Sequence, residues 1–198
     1  MLLLQNFNQQ QNSNLIIQLI VAGVIIILIS KFFILPFLSN KSSSKMTKLK
    51  VGDQAPDFTA SDKDGKSYSL KDFADKVLVL YFYPKDSTPG CTKEACSFRD
   101  NYEQFTEAGA VVVGVSSDDA ESHSKFSAKY RLPFTLLTDN KGEMAKKYGV
   151  KKELLLIPGR STFIIDKNQK IALIHSSLLN AESHITESLK VIEQLKSQ

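Results

Sequence analysis

The sequence predicts an α/β domain with a central mixed β-sheet flanked by helices, preceded by a single hydrophobic amino-terminal segment. Two observations lead there. From Leu49 onward, short continuous apolar runs of strand length alternate with segments whose apolar residues recur every three or four positions. Ahead of that, residues 15–30 (LIIQLIVAGVIIILIS) carry no charge, and a polar linker, SNKSSSK, separates the apolar stretch from the rest. With 198 residues, 42% of them hydrophobic, the chain has room for one domain of about 150 residues plus an appendage. The reading divides it into residues 1–45, a hydrophobic anchor or targeting segment with its linker, and residues 46–198, the folded domain.

The elements follow in order. VGDQAPDFTASDKDGKSYSL, residues 51–70, alternates polar and apolar residues on both sides of Asp64-Gly65, a hairpin signature. KVLVLYFYP, residues 76–84, is a continuous apolar run suited to a strand buried on both faces, and Pro84 ends it. After the loop KDSTPG, apolar residues at Ala95, Phe98, Tyr102 and Phe105 mark one amphipathic helix running from Cys91 to near Gly109. AVVVGVSS then reads as a strand, DDAESHSKFSAKY as a helix opened by Asp118 or Asp119, FTLLTD as a short strand and GEMAKKYG as a helical turn. STFIID and KIALIHS, joined by KNQ, form a hairpin, and a helix over residues 181–195 closes the chain. This order is that of a thioredoxin-like sheet with one added helix.

Composition limits the partners. The net charge of +4 comes from 25 basic and 21 acidic residues, and several lysines cluster in the linker, so there is no broad basic patch and no nucleic-acid partner is expected. A helix continued through Leu38 would be about 36 Å long, enough to cross a hydrocarbon core of about 30 Å. Residues 15–38 therefore read as a membrane anchor. The first fourteen residues have no lysine or arginine, whereas Lys31, Lys41, Lys45, Lys48 and Lys50 lie beyond, which leaves the carboxy-terminal domain on the cytoplasmic, reducing side. A cleaved signal peptide competes with this reading, because the uncharged run is only slightly longer than a typical apolar signal core. A chain started at Met46 would be a soluble domain without the segment.

The chemistry centres on Cys91 and Cys96, the only cysteines. Their spacing fits neither a zinc site nor a Cys-x-x-Cys dithiol, and redox use of the pair is the leading reading. Strand, turn, cysteine, helix is an order that places Cys91 in the first helical turn, after Pro89 and Gly90. Free backbone N–H groups and the positive end of the helix dipole there favour a thiolate. Thr88 could direct its hydroxyl toward the sulfur and an incoming oxygen, and Pro84 would shield the sulfur from water. Cys96 lies five residues on, which in an intact helix puts the two Cα atoms roughly 8–9 Å apart. A disulfide needs about 7 Å or less, so joining them requires the first turns of the helix to unwind.

These residues carry a resemblance. From about Lys48 to its end the chain resembles the peroxiredoxin family, in its bacterioferritin comigratory protein or Q-type branch, through Pro84-KDS-Thr88-PG-Cys91 and through Cys96 in CTKEACSFRD. Arg160, in PGRSTFIID, looks like the family's second-site arginine, and the stretch KKELLLIPGR looks like plant and cyanobacterial members, which keeps a plastid location open. The resemblance implies a thiol peroxidase acting on hydrogen peroxide and organic hydroperoxides. In it Cys91 becomes a sulfenic acid, Cys96 resolves it to an intramolecular disulfide, and thioredoxin or a glutaredoxin-like dithiol reopens the bond. Arg160, Thr88 and the amides of the cysteine turn would hold the peroxide. No cofactor or metal is required, and a monomeric catalytic domain is compatible with an intramolecular disulfide.

Two rivals share the redox cysteine. One is a dithiol–disulfide oxidoreductase acting on protein partners, for which the Cys-x-x-Cys is missing. The other is a membrane-attached redox sensor, motivated by the anchor. Arg99 and Asp100 read as a solvated helix face, Glu94 as no more than helix-start electrostatics, and His123, His175 and His184 as surface or packing residues without metal-ligand spacing.

Overall fold

The computed structural model describes residues 48–153 and 157–197. Its strands are β1 (Thr59–Ser61), β2 (Ser67–Ser69), β3 (Val77–Phe82), β4 (Ala110–Ser116), β5 (Thr135–Thr138), β6 (Lys152–Glu153), β7 (Ile157–Pro158), β8 (Ser161–Ile165) and β9 (Ile171–Ser176). Its helices are α1 (Pro89–Asp100), α2 (Tyr102–Glu107), α3 (Ala120–Tyr130), α4 (Glu143–Lys147) and α5 (Ala181–Lys196). Seven strands form one mixed sheet in the order β2-β1-β5-β4-β3-β8-β9, and β6 and β7 pair separately as a small hairpin.

Strand β3 is central because its sequence is apolar on both faces: every residue from Val77 to Phe82 is buried. Val79 and Tyr81 join one core layer with Cys91, Ala95 and Phe98 of α1, Phe105 of α2, Phe126 of α3, and Ile185 and Ile192 of α5. Leu78, Leu80 and Phe82 face the opposite layer with Phe58, Met144, Tyr148 and Phe163. β3 runs parallel to β4 and antiparallel to β8, in a register that sets Phe82 opposite Ser161. The end of β3 and the start of β8 thus coincide at one end of the strands.

Gly114, in the middle of β4, is dictated by the neighbouring ring. A Cβ there would lie 2.7 Å from Leu136 Cδ2 and Tyr81 Cζ and 2.8 Å from the Tyr81 hydroxyl. Only glycine lets the Tyr81 ring lie across that strand, where it stacks on Phe98 with centroids 4.6 Å apart.

Three local expectations are corrected. The single helix expected from Cys91 to Gly109 is two, α1 and α2, interrupted at Asn101, whose backbone leaves the helical region (φ −107°, ψ 11°) and whose side-chain amide donates to the Ser97 carbonyl at 2.8 Å. α1 also begins earlier than expected. Thr88 is the extended N-cap residue and Pro89 occupies the first turn, so Pro89 and Gly90 belong to the helix rather than to a turn before it. The hairpin of β6 and β7 was not expected, since two residues per strand are too few to show a period. Of the two candidate caps of α3, Asp119 does the capping, accepting from the Ser122 N–H at 2.9 Å.

Candidate active site

Cys91 lies in the first turn of α1 and is only 2% exposed. The fold brings Arg160 to it from a residue nearly seventy positions away, because Arg160 immediately precedes β8 and β8 pairs with β3. Arg160 Nη2 is 3.5 Å from Cys91 Sγ and donates toward it. Gly90 makes this approach possible, since a Cβ there would lie 3.1 Å from Arg160 Nη2. A fixed positive charge and the amino-terminal end of a helix therefore converge on one buried sulfur.

Arg160 is itself tightly held. Nη1 forms an ion pair with Glu94 Oε2, and Nε donates to the Leu178 carbonyl at 3.3 Å. Glu94, one turn after Cys91, is fully buried, and burial pushes its carboxyl up to about 8 against the pull of Arg160. The other side of Glu94 faces His184 of α5, also fully buried. His184 bonds Thr162 through Nδ1 at 2.8 Å and the Ser177 carbonyl through Nε2 at 2.9 Å.

A second buried cluster anchors the loop that leads into α1. Asp86 Oδ1 accepts from the Tyr83 hydroxyl at 2.7 Å, and Oδ2 accepts from Ser122 Oγ at 2.8 Å and from His123 Nδ1 at 2.9 Å. The Asp86 N–H donates to Asp118 Oδ2 at 2.8 Å, and Asp118 also accepts from Ser116 Oγ at 2.7 Å. Tyr83 and Asp118, just beyond the ends of β3 and β4, with Ser116 of β4 and Ser122 and His123 of α3, thereby fix the loop between Pro84 and Thr88.

Of the residues singled out from the sequence, Cys91 and Arg160 meet directly. Cys96 is partly exposed and, like Cys91, a free thiol in an unbroken helix. Pro84 is half-buried where the chain leaves β3. Thr88 differs from expectation: its hydroxyl donates to the Lys85 carbonyl at 3.0 Å and closes the loop from within. Glu94, His184, Asp86 and His123 were missed. Their partners are distant in sequence, and the only local signal was an acidic residue in the first turns of the cysteine helix. Among the described residues, no group of three or more His, Cys, Asp or Glu side chains is arranged to hold a metal ion. Nor is any helix there long and apolar enough to cross a membrane; the anchor expected over residues 15–38 lies outside the described residues.

A buried helix-turn thiol beside a held guanidinium, on a thioredoxin-like sheet, defines a class. The chain belongs to the AhpC/TSA family, whose model matches residues 51–174, and it is a thiol peroxidase that works through a cysteine redox cycle. Nearer relatives narrow the branch. The chain is 47% identical over 162 residues to peroxiredoxin Q, chloroplastic, of Sedum lineare, an alignment spanning 81% of this chain and 86% of that protein. It is 47% identical over 163 residues to the protein of the same name from Arabidopsis thaliana, covering 79% and 76%. Among solved structures it is similar to the peroxidoxin BcpB of Mycobacterium tuberculosis, with TM-score 0.70 and 37% identity over 74% of this chain and 98% of that one. It is also similar to the bacterioferritin comigratory protein of Xanthomonas campestris, described for its alkyl peroxide reduction activity, with TM-score 0.66 and 32% identity over 70% and 92%.

Proposed function

We propose that Cys91 is the peroxidatic nucleophile and Cys96 its resolving partner, in an enzyme that reduces hydrogen peroxide and organic hydroperoxides at the expense of thioredoxin or a similar dithiol. The observation that supports this most is Arg160 Nη2 lying 3.5 Å from a sulfur in the first turn of a helix. The Cys91 thiolate attacks the distal peroxide oxygen. The S–O bond forms as the O–O bond breaks, and the leaving alkoxide or hydroxide takes a proton to become alcohol or water. Arg160 and the free N–H groups of the first turn stabilise the negative charge as it moves from sulfur to oxygen. Thr88 contributes through the loop it closes, and Pro84 through cover.

The Cys96 thiol then condenses with the Cys91 sulfenic acid, releasing water and leaving a disulfide. Because both cysteines sit in one continuous helix, α1 unwinds at this step. A dithiol donor reopens the bond by exchange through a mixed disulfide. The chloroplastic relatives favour the plastid alternative for location, with residues 1–45 as the targeting part, over a cytoplasmic membrane anchor. A catalytic domain acting as a monomer fits an intramolecular disulfide.

The test is peroxide consumption with thioredoxin, its reductase and NADPH. Cys91→Ser should abolish turnover, and Cys96→Ser should consume one equivalent and stall. Full turnover by Cys91→Ser would remove the assignment.

A further inference from the structure

Arg160 is held by three partners, and two of them belong to the helix that a Cys91–Cys96 disulfide rearranges. Its Nη2 faces Cys91 Sγ at 3.5 Å, its Nη1 pairs with Glu94 Oε2, and its Nε donates to the Leu178 carbonyl at 3.3 Å. Glu94 lies between the two cysteines, inside the loop that the disulfide closes. The far half of α1 is fastened to its surroundings. Phe98 is fully buried and stacked on Tyr81, Arg99 Nη1 donates to the Tyr130 carbonyl at 2.7 Å, and the Asn101 amide donates to the Ser97 carbonyl. The near half starts with exposed Pro89 and Gly90, and Lys93 links it to Glu182 of α5 through an exposed ion pair at 3.2 Å, which holds little. Unwinding therefore falls on the half that carries Cys91 and Glu94.

The walls around the Glu94 carboxyl group stand on other elements. Arg160 immediately precedes β8, whose Ser161 is in register with Phe82 of β3. His184 of α5, 3.6 Å from Glu94 Oε1, is tied to Thr162 of β8 at 2.8 Å and to the Ser177 carbonyl at 2.9 Å. None of these ties involves residues 91–96. When Glu94 and Cys91 withdraw, a space shaped for a carboxyl group remains, and the guanidinium at its end keeps only the Leu178 carbonyl. A buried guanidinium without an anion is costly, and its two Nη groups present parallel donors that match the two oxygens of a carboxylate. Glu94 itself gives Arg160 only one oxygen, since Oε1 has no hydrogen-bond partner. A carboxylate free to turn can engage both Nη groups.

We propose that Glu94 is the built-in occupant of a carboxylate-binding pocket on Arg160, that formation of the Cys91–Cys96 disulfide withdraws it, and that the oxidised protein then takes a carboxylate of its dithiol donor there. The pocket adjoins the disulfide that the donor must reach, so an acidic side chain and the attacking thiol of the donor arrive together. Reduction lets α1 rewind, returns Glu94 to Arg160 and displaces the donor. The inference rests on the reading of Cys96 as the resolving partner of Cys91.

The experiment compares the dithiol form of the full chain with the disulfide form, made with diamide, which takes the two thiol hydrogens without peroxide. Both are treated with phenylglyoxal and mapped by mass spectrometry, with exposed Arg131 as internal reference. Arg160, 3% exposed in the dithiol form, should react at least about tenfold faster in the disulfide form, the worth of one charged hydrogen bond removed. Acetate should slow that reaction saturably, and chloride at the same ionic strength should not. Acetate should also slow reduction of the disulfide by thioredoxin and leave reduction by dithiothreitol, which has no carboxylate, unchanged. Equal protection of Arg160 in both forms would overturn the proposal, because Glu94 would still be in place. An Arg160 that acetate shields no better than chloride would overturn the pocket, and equal slowing of both reductants would overturn the donor's part in it. If diamide forms no intramolecular bond, the resolving role of Cys96 falls and the pocket with it, and the intact mass shows this before any arginine is read.

Discussion

Asp86 offers a large stability effect outside the sheet core. Its carboxylate is the common acceptor for Tyr83, Ser122 and His123, and its side chain is 2% exposed. Asp86→Ala strands three donors at once, two of them fully buried. Removing one partner of such a buried charged cluster costs about 3–5 kcal/mol. For a domain of this size each kcal/mol lowers Tm by about 2–4 °C, so a fall of roughly 10 °C is expected. Asp86→Asn keeps an acceptor oxygen and should lose clearly less. Burial raises the Asp86 pKa, but the bonds from His123, Tyr83 and Ser122 outweigh it, and the net value lies below that of an ordinary aspartate. The folded pKa is thus depressed relative to the unfolded one. The stabilisation is complete above the unfolded value of about 4 and is lost as pH falls through the folded value. Urea unfolding of wild type and Asp86→Ala across pH should show a constant gap near neutrality that closes in acid. A loss under about 1 kcal/mol at pH 7, or a gap that persists in acid, would refute the reasoning.

Three further outcomes follow from contacts already described. Gly90→Ala places a Cβ against Arg160 Nη2 while favouring helix, so oxidation of Cys91 by the first equivalent of peroxide should slow about tenfold, the effect of weakening one charged hydrogen bond, with Tm unchanged or raised. Quenched-flow mass spectrometry reads that rate in a chain without tryptophan. Gly114→Ala, meeting Tyr81 and Leu136 inside van der Waals distance, should cost about 1–3 kcal/mol or more in urea unfolding. In the Cys91–Cys96 disulfide form, backbone amides of residues 92–97 should exchange with deuterium far faster than in the dithiol form, while those of α5 stay protected; equal protection of α1 in both forms would contradict resolution by unwinding.

Most of the fold was legible because its signals are local. The uninterrupted apolar run of β3, the turn at Asp64-Gly65 and the period of α5 each state their structure within a few residues. The break at Asn101 was not legible, because the apolar stripe of Ala95, Phe98, Tyr102 and Phe105 keeps its spacing across it; a side-chain bond to Ser97 makes the break, not a change in pattern. At the site, the cysteine and its loop could be read from adjacent residues, and Arg160 only through family likeness. Glu94, His184 and Asp86 take their meaning from partners on other elements. A histidine that bonds Thr162 and Ser177 inside the core looks, in sequence, the same as one in water.

The pairing of Phe82 with Ser161 also bears on the order in which the chain is made. Synthesis runs from the amino terminus, so Cys91 is complete while Arg160 is still to be added, and β8 cannot dock on β3 until later still. Until then the sulfur has no guanidinium beside it and no buried pocket around it. The growing chain carries Cys91 without its charged neighbour, and the two meet only when a single antiparallel register closes.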